Sequence, residues 1–343
     1  MPIHSGEKPH VILSLTSYPP RFPHLVQQLV RLTDQTKYPD LLILNIAQSD
    51  ENKLPEEIKN LIFPFPFEIN TCEDLGPGKK LIPTLMRYPS SLIITIDDDI
   101  IYPEELVETL LIESRKYPGD IITARAHRPK FLTGIPIPYL DWDFEIEYDL
   151  SHILMPTTGG GVLYPPLSLH SGVLDSENYE VLSYSTDDLW FWVHSLRNGT
   201  RVRLINNPSP LRDLDETKSS GLHKDGNLEI LNDLNLGLMW KVYEMQKILA
   251  SFSLKNELIP LLSMGFHPRA DDAKLDLGIG NMEDFFELLL SIEPKKRLLL
   301  TKFILKKSTE IKNIRENQDK LKVSIMLVLR NVLRKIKKLD ISG

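Results

Sequence analysis

Apolar residues in the first half of the chain gather in short runs, separated by polar stretches marked with proline and glycine. Val11 to Leu15, Leu41 to Ala47 and Leu92 to Ile96 are rich in leucine and isoleucine with little polar alternation. Such runs predict strands buried on both faces. Phe67 to Thr71 and Asp120 to Ala124 predict two more. Between them Leu25, Leu29 and Leu32 recur at helical spacing and predict a helix over 22–36. Shorter helices are expected over 56–61 and 81–87. A longer one is expected over 104–116, with Leu106, Leu110 and Leu111 on one face. Strands and helices alternating at this spacing form βαβ units. The expected fold is therefore α/β: a Rossmann-like, mostly parallel sheet flanked by helices. Further along, Val162 to Tyr164 reads as a strand, a helix begins near Thr186, Arg201 to Ile205 reads as an edge strand, and Leu228 to Lys247 reads as a closing helix. This organisation gives a main domain over 8–250 and a helical C-terminal region over 251–343.

Candidate chemistry lies where these elements meet their loops. Asp97, Asp98 and Asp99 follow directly on an apolar strand, and ligands in open α/β sheets bind beyond the carboxyl ends of strands. Three adjacent acids repel one another and lose hydration, so a positive partner is expected among them. Mn²⁺ or Mg²⁺ would serve, since hard cations take one or two carboxylates together with phosphate oxygens. The loop after the first strand, Thr16-Ser-Tyr18-Pro-Pro-Arg21, is pinned by prolines. It offers Tyr18 to stack on a base and Arg21 to meet phosphate. In Asp74-Leu-Gly-Pro-Gly-Lys79-Lys80 a glycine turn opens a helix, and backbone N–H groups there favour anions. Lys79 or Lys80 is expected at a diphosphate or a nucleobase edge, and Asp74 at a ring N–H. The spacing is not that of a phosphate loop. Gly159-Gly160-Gly161 lets backbone approach a ligand or take positive φ. Thr186-Asp187-Asp188 fits either a helix cap with acids in its first turn or the source of a general base. The aromatic and acidic stretch 130–149 packs as a lid or holds a sugar ring.

Taken in order, Ser14-Leu-Thr-Ser-Tyr18-Pro-Pro-Arg21-Phe, Gly76-Pro-Gly-Lys79-Lys80-Leu, Asp97-Asp98-Asp99, Gly159-Gly-Gly161-Val-Leu-Tyr-Pro-Pro166 and Thr186-Asp187-Asp188 resemble GT-A glycosyltransferases. The resemblance is to bacterial members that build capsules and lipopolysaccharides, and it covers roughly residues 10–240. It implies a nucleotide-sugar donor, with UDP favoured, held through a divalent ion. It implies Asp97 and Asp99 at the metal, Asp98 at ribose or sugar hydroxyls, and the first-strand loop with Thr16, Tyr18 and Arg21 at the nucleotide. It places Gly160 and Gly161 against donor sugar and acceptor. Many inverting members carry Thr-Glu-Asp with the last acid as base, which points to Asp188, with Asp187 second. Many also draw a late histidine to the metal, for which His223 is the candidate. A nucleotidyltransferase on a related scaffold and a non-catalytic glycan-binding protein remain alternatives.

The chain has 343 residues and a net charge of −7, which argues against a dedicated nucleic-acid binder. One cysteine, Cys72, excludes a disulfide framework and fits a reducing compartment. The N-terminus has no apolar core of signal-peptide length, and no apolar run reaches spanning length. From Pro294 to Leu339, 15 Lys/Arg stand against 3 Asp/Glu. Ile325, Leu329, Val332, Leu333 and Ile336 form one helical stripe there, with Arg330, Arg334, Lys337 and Lys338 on another. A basic amphipathic helix suits anionic lipid headgroups. The expectation is a cytoplasmic protein associated through 294–339 with the inner face of the membrane, where a glycan or lipid-linked acceptor would be met.

Overall fold

The computed structural model describes residues 10–253, apart from 133, 145, 147–149, 185, 206–210 and 214–227. His223 and the basic stretch 294–339 lie outside the described residues. Eight strands form one sheet. They are β1 (Val11–Thr16), β2 (Leu41–Ala47), β3 (Phe67–Cys72), β4 (Leu92–Thr95), β5 (Ile121–Thr123), β6 (Leu150–Ser151), β7 (Val162–Tyr164) and β8 (Val202–Leu204). Their order across the sheet is β6-β8-β5-β7-β4-β1-β2-β3. The pairs β1–β2, β2–β3, β1–β4 and β5–β8 are parallel. β7 runs antiparallel between β4 and β5, and β6 antiparallel on β8. Six of the eight strands thus share one direction, as the sequence pattern predicts for an α/β sheet. The chain leaves β1 toward β2 and β3 on one side and later places β4 on the other. That reversal opens a crevice beyond the carboxyl ends of β1 and β4, where ligands bind in such sheets.

Both faces of the sheet are covered, which is why its strands are nearly continuous apolar runs. Leu13, Leu15, Leu42, Leu44, Ile46 and Ile94 point to one side. There they pack on α1 (Phe22–Arg31), the single turn α2 (Glu56–Lys59) and α4 (Leu106–Lys116). Ile12, Leu41, Ile43, Ile93, Ile121 and Val162 point to the other. That side carries α3 (Ile82–Arg87), α5 (Ser176–Leu182), α6 (Asp187–Asn198), α7 (Leu228–Val242) and α8 (Met245–Ser253). Each such core side chain contributes about 1.5–3 kcal/mol on burial.

Helix α6 is the centre of the second layer. Trp190, Phe191, Trp192, Val193 and Leu196 are almost fully buried, and Gly199 ends the helix in the left-handed region at φ +70. Glycine, with no Cβ, takes that conformation at least cost. The layer carries its Asp187–Asp188 end to the crevice.

Three expectations are corrected. The strand near Arg201 to Ile205 is not at the edge, because β6 pairs outside it. The helix over 228–247 is two helices, broken where Glu244 takes φ +51. The helix over 22–36 ends at Arg31 and continues only as a 3₁₀ turn, Leu32–Asp34.

Candidate active site

The crevice is lined by four charged loops. The first follows β1. Thr16 Oγ1 donates to the Asn45 carbonyl of β2, 2.7 Å away, so this hydroxyl ties two strands together. Tyr18 lies under the Arg21 guanidinium, whose carbon is 5.6 Å from the ring centre. Pro19 and Pro20 open a 3₁₀ turn ending at Arg21. The turn aims Arg21 back at the second loop, after β4. Arg21 donates to Asp98 Oδ1 and lies 2.8 Å from Asp99 Oδ2. Burial works against the Arg21 charge, but Asp98 and Asp99 outweigh it and raise its pKa.

The three acids are not equivalent. Asp98 is buried with Arg21, while Asp97 and Asp99 are half-buried at the crevice. Asp98 was expected at ribose or sugar hydroxyls. The structure turns it inward instead, because burial demands a partner and Arg21 supplies it. Burial and the neighbouring Asp97 push the Asp99 carboxyl up to about 6.

The third loop leads from β3 to α3. Lys79 Nζ pairs with Asp74 Oδ1 at 2.5 Å, and Asp74 also accepts from Gly76 N at 3.1 Å. Asp74 is half exposed at the mouth, so these two expected nucleotide contacts are engaged with each other. Lys80 is only 4 % exposed. It donates to Asp97 Oδ1 and, at 2.9 Å, to Thr158 Oγ1, and lies 3.2 Å from Asp187 Oδ2. Burial opposes its charge, yet Asp187, Asp97 and Asp188 hold its pKa well above the ordinary lysine value. Lys80 therefore clamps protein acids where a phosphate contact was expected. Below it, Ser14 Oγ donates to the Lys80 carbonyl at 2.6 Å, and Asn45 and Thr84 complete a buried polar island.

The fourth part joins the glycine turn to α6. Asp188 Oδ1 accepts from both Thr158 N, at 2.8 Å, and Thr158 Oγ1, at 2.7 Å. Thr186 sits at the N-cap but makes no side-chain cap bond to its own helix. It accepts from Asn235 Nδ2 at 3.0 Å. The two acids are held by other segments, Asp187 by Lys80 and Asp188 by Thr158, and the helix end still favours their charge. Burial pushes the Asp187 carboxyl up to about 6 in spite of Lys80.

At Gly160 and Gly161 the space a side chain would take is filled by the protein itself. A side chain on Gly160 would stand 2.4 Å from Arg125 Cβ and 2.9 Å from its backbone nitrogen. Gly161, at φ +87, lies against Leu106. These glycines make room for neighbours within the protein. Arg125 in turn donates to Thr157 Oγ1 at 2.7 Å, and its charge helps keep Asp97 ionised. Tyr102 staples the turn: it accepts from Asp97 N at 2.8 Å and donates to the Gly159 carbonyl at 3.1 Å.

Tyr102, Arg125 and Thr158 are the crevice residues to which sequence reasoning assigned no role. Arg125 is marked in the sequence by the basic group Arg125-Ala-His127-Arg128 at a strand end, but without a role. Thr158 and Tyr102 carry no signal beyond lying next to marked motifs.

Acids outnumber bases around the crevice. Asp97, Asp98, Asp99, Asp187 and Asp188 face Arg21, Lys80 and Arg125, leaving two negative charges in excess. Among the described residues no three His, Cys, Asp or Glu side chains converge as a ligand set. An ion there would take carboxylates from the protein and its other ligands from substrate, the usual habit of Mg²⁺ and Mn²⁺ at phosphates.

No family model matches the chain, and no curated protein does. Solved structures resemble it only distantly. TarS 1–349 of S. aureus in complex with UDP is 13 % identical with a TM-score of 0.38, covering 59 % of each chain. HddC from Yersinia pseudotuberculosis is 13 % identical with a TM-score of 0.39, covering 63 % of this chain and 99 % of that one. A CMP:2-keto-3-deoxy-manno-octonic acid synthetase complexed with CTP is 12 % identical with a TM-score of 0.38, covering 62 % and 96 %. The chain thus spans 59 % of the TarS structure. Similarity at this level does not reach the chemistry of the crevice.

Proposed function

We propose that this chain is a metal-dependent, inverting glycosyltransferase that moves a sugar from a nucleoside diphosphate, best UDP, to a glycan or lipid-linked acceptor. One observation carries the reading. Asp188, a half-exposed carboxylate restrained through one oxygen, shares a single crevice with the paired acids that end β4. The crevice lies at the reversal of strand order, where nucleotides bind in open α/β sheets.

In this reading Tyr18 stacks on the base, and Arg21 and Arg125 flank the diphosphate. Asp97 and Asp99 would hold Mn²⁺ or Mg²⁺, which supplies charge to the leaving diphosphate when bound. Asp188 takes the proton of the acceptor hydroxyl as that oxygen attacks the anomeric carbon. The new bond is carbon to acceptor oxygen. The bond broken is carbon to diphosphate oxygen, and its electron pair leaves with the nucleotide. Catalysis here depends on the placement of Asp188 against the acceptor hydroxyl. Tyr139 stands near this base, with Phe144 packed edge-on against that ring at 5.3 Å. Burial, and then the Asp188 charge, raise the Tyr139 phenol. Residues 294–339 would bring the enzyme to anionic membrane bearing the acceptor.

No helix among the described residues is long and apolar enough to cross a membrane. The test is a thermal-shift screen of nucleotide sugars with and without Mn²⁺, since a bound ligand raises stability by mass action, followed by product analysis. Release of UDP on transfer supports the reading. Release of pyrophosphate would replace it with nucleotidyl transfer, and no shift with any donor would end it.

A further inference from the structure

We infer that Thr158 is the residue that positions the base, and that it does so as a relay between Asp188 and Lys80. This inference rests on the glycosyltransferase reading above and adds a residue to it. Thr158 is 1 % exposed, so it does not meet substrate. Its hydroxyl has one proton to give and gives it to Asp188 Oδ1 at 2.7 Å, while Lys80 Nζ donates to the Thr158 hydroxyl oxygen itself at 2.9 Å. The direction of the chain is therefore fixed: ammonium to hydroxyl to carboxylate. An ammonium has no lone pair, and a hydroxyl accepting from it must turn its proton elsewhere. The backbone N–H of Thr158 adds a second bond to the same carboxylate oxygen at 2.8 Å.

Two donors on one oxygen do two things. They fix the plane of a carboxylate that would otherwise rotate about its last torsion. They also occupy Oδ1, so that Oδ2, which accepts no hydrogen bond among the described residues, is the oxygen presented to the acceptor hydroxyl. The proton from that hydroxyl goes to Asp188 Oδ2 as its oxygen bonds to the anomeric carbon and the diphosphate departs. Lys80 is held at the same time by Asp97 and Asp187. Through Thr158 the base is thus registered against the acids at the end of β4, where the donor is proposed to sit. Glycine at 159 and 160 follows from the same arrangement, because the turn that delivers Thr158 runs against Arg125 with no room for Cβ.

The test is steady-state transfer by the full chain carrying Thr158→Val, Thr158→Ala and Thr158→Ser, with donor and acceptor varied separately. Thermal melting confirms that each variant is folded. Valine keeps the volume and alanine removes it, so either folded form reads the loss of the hydroxyl. Both should lower kcat by about 10- to 100-fold, the scale of a misplaced reacting group, with donor KM within about threefold. Thr158→Ser, which keeps the hydroxyl, should restore kcat to within about threefold of wild type. Wild-type kcat in the folded Val and Ala forms, or a Ser form as slow as Val, would overturn the inference while leaving the enzyme reading intact. A wild-type protein that transfers no sugar would overturn both.

Discussion

Lys80 Nζ stands 3.2 Å from Asp187 Oδ2 and donates at the same time to Asp97 Oδ1. One ammonium thereby joins the start of α6 to the end of β4, two segments far apart in sequence. Removing one member of a buried ion pair leaves the other charge unpaired, at a cost of about 3–5 kcal/mol. Lys80→Met should lower unfolding stability by that order, read from the urea midpoint at neutral pH. The loss should shrink when Asp187→Asn is added, because contacting residues are not additive. Equal losses with and without that second change would mean that Lys80 and Asp187 do not interact.

Arg21 and Asp98 make the second pair. Arg21→Ala strands Asp98, which is 4 % exposed, and should cost about 3 kcal/mol or more. Asp98→Asn keeps shape and removes the charge. In its background Arg21→Ala should cost less than half as much, by the same non-additivity. Denaturant titration of the four proteins checks this. A strictly additive double variant would refute the pairing.

Glycine positions separate two causes of damage. At Gly160 a methyl group would meet the Arg125 backbone nitrogen at 2.9 Å and its Cβ at 2.4 Å, and main chain cannot step aside. Gly160→Ala should therefore cost on the order of 2–4 kcal/mol or prevent folding, as overpacking does at its upper range. At Gly119 the only penalty is φ +91, with nothing within 4 Å. Gly119→Ala should cost about 1–2 kcal/mol. Melting temperatures of the two variants decide the order.

How much of this was legible in the sequence depends on the range of the force involved. Val11 to Thr16, Leu41 to Ala47 and Leu92 to Thr95 are legible because a strand covered on both faces has almost no polar alternation to hide it. Antiparallel β7 was not, since Val162-Leu-Tyr164 reads the same in either direction. Among the described residues no α-helix lies between β5 and β7 to carry the chain back for a parallel pairing. The acid cluster announced a need for positive charge, and the sequence reading met it with a metal. The structure meets part of it with Arg21 and Lys80, whose partners lie 77 and 17 residues away. Pairings at that separation leave no periodic trace. Gly160 shows the same limit, because whether a glycine admits a ligand or a neighbouring arginine depends on what packs over it.

The last prediction concerns acid. His194 is fully buried in α6, with its ring 4.3 Å from that of Trp190 and 5.5 Å from that of Tyr243. Arg197 lies 3.2 Å from His194 Nδ1 and stacks on Tyr243 at 3.9 Å. Burial, and then the charges of Arg197 and His170, lower the His194 pKa from 6.5 to about 2. The unfolded chain takes up a proton below pH 6.5 that the folded imidazole refuses until about pH 2. Its contribution to stability is therefore complete above pH 6.5 and is lost as pH falls through that window, by up to about 1.4 kcal/mol per pH unit. Carboxylates also titrate there, but they are common to wild type and His194→Gln. The stability difference between the two proteins should thus move in favour of the variant between pH 6.5 and pH 4.5, measured by denaturant unfolding at each pH. A difference that stays constant across that interval would mean that His194 is protonated in the folded protein.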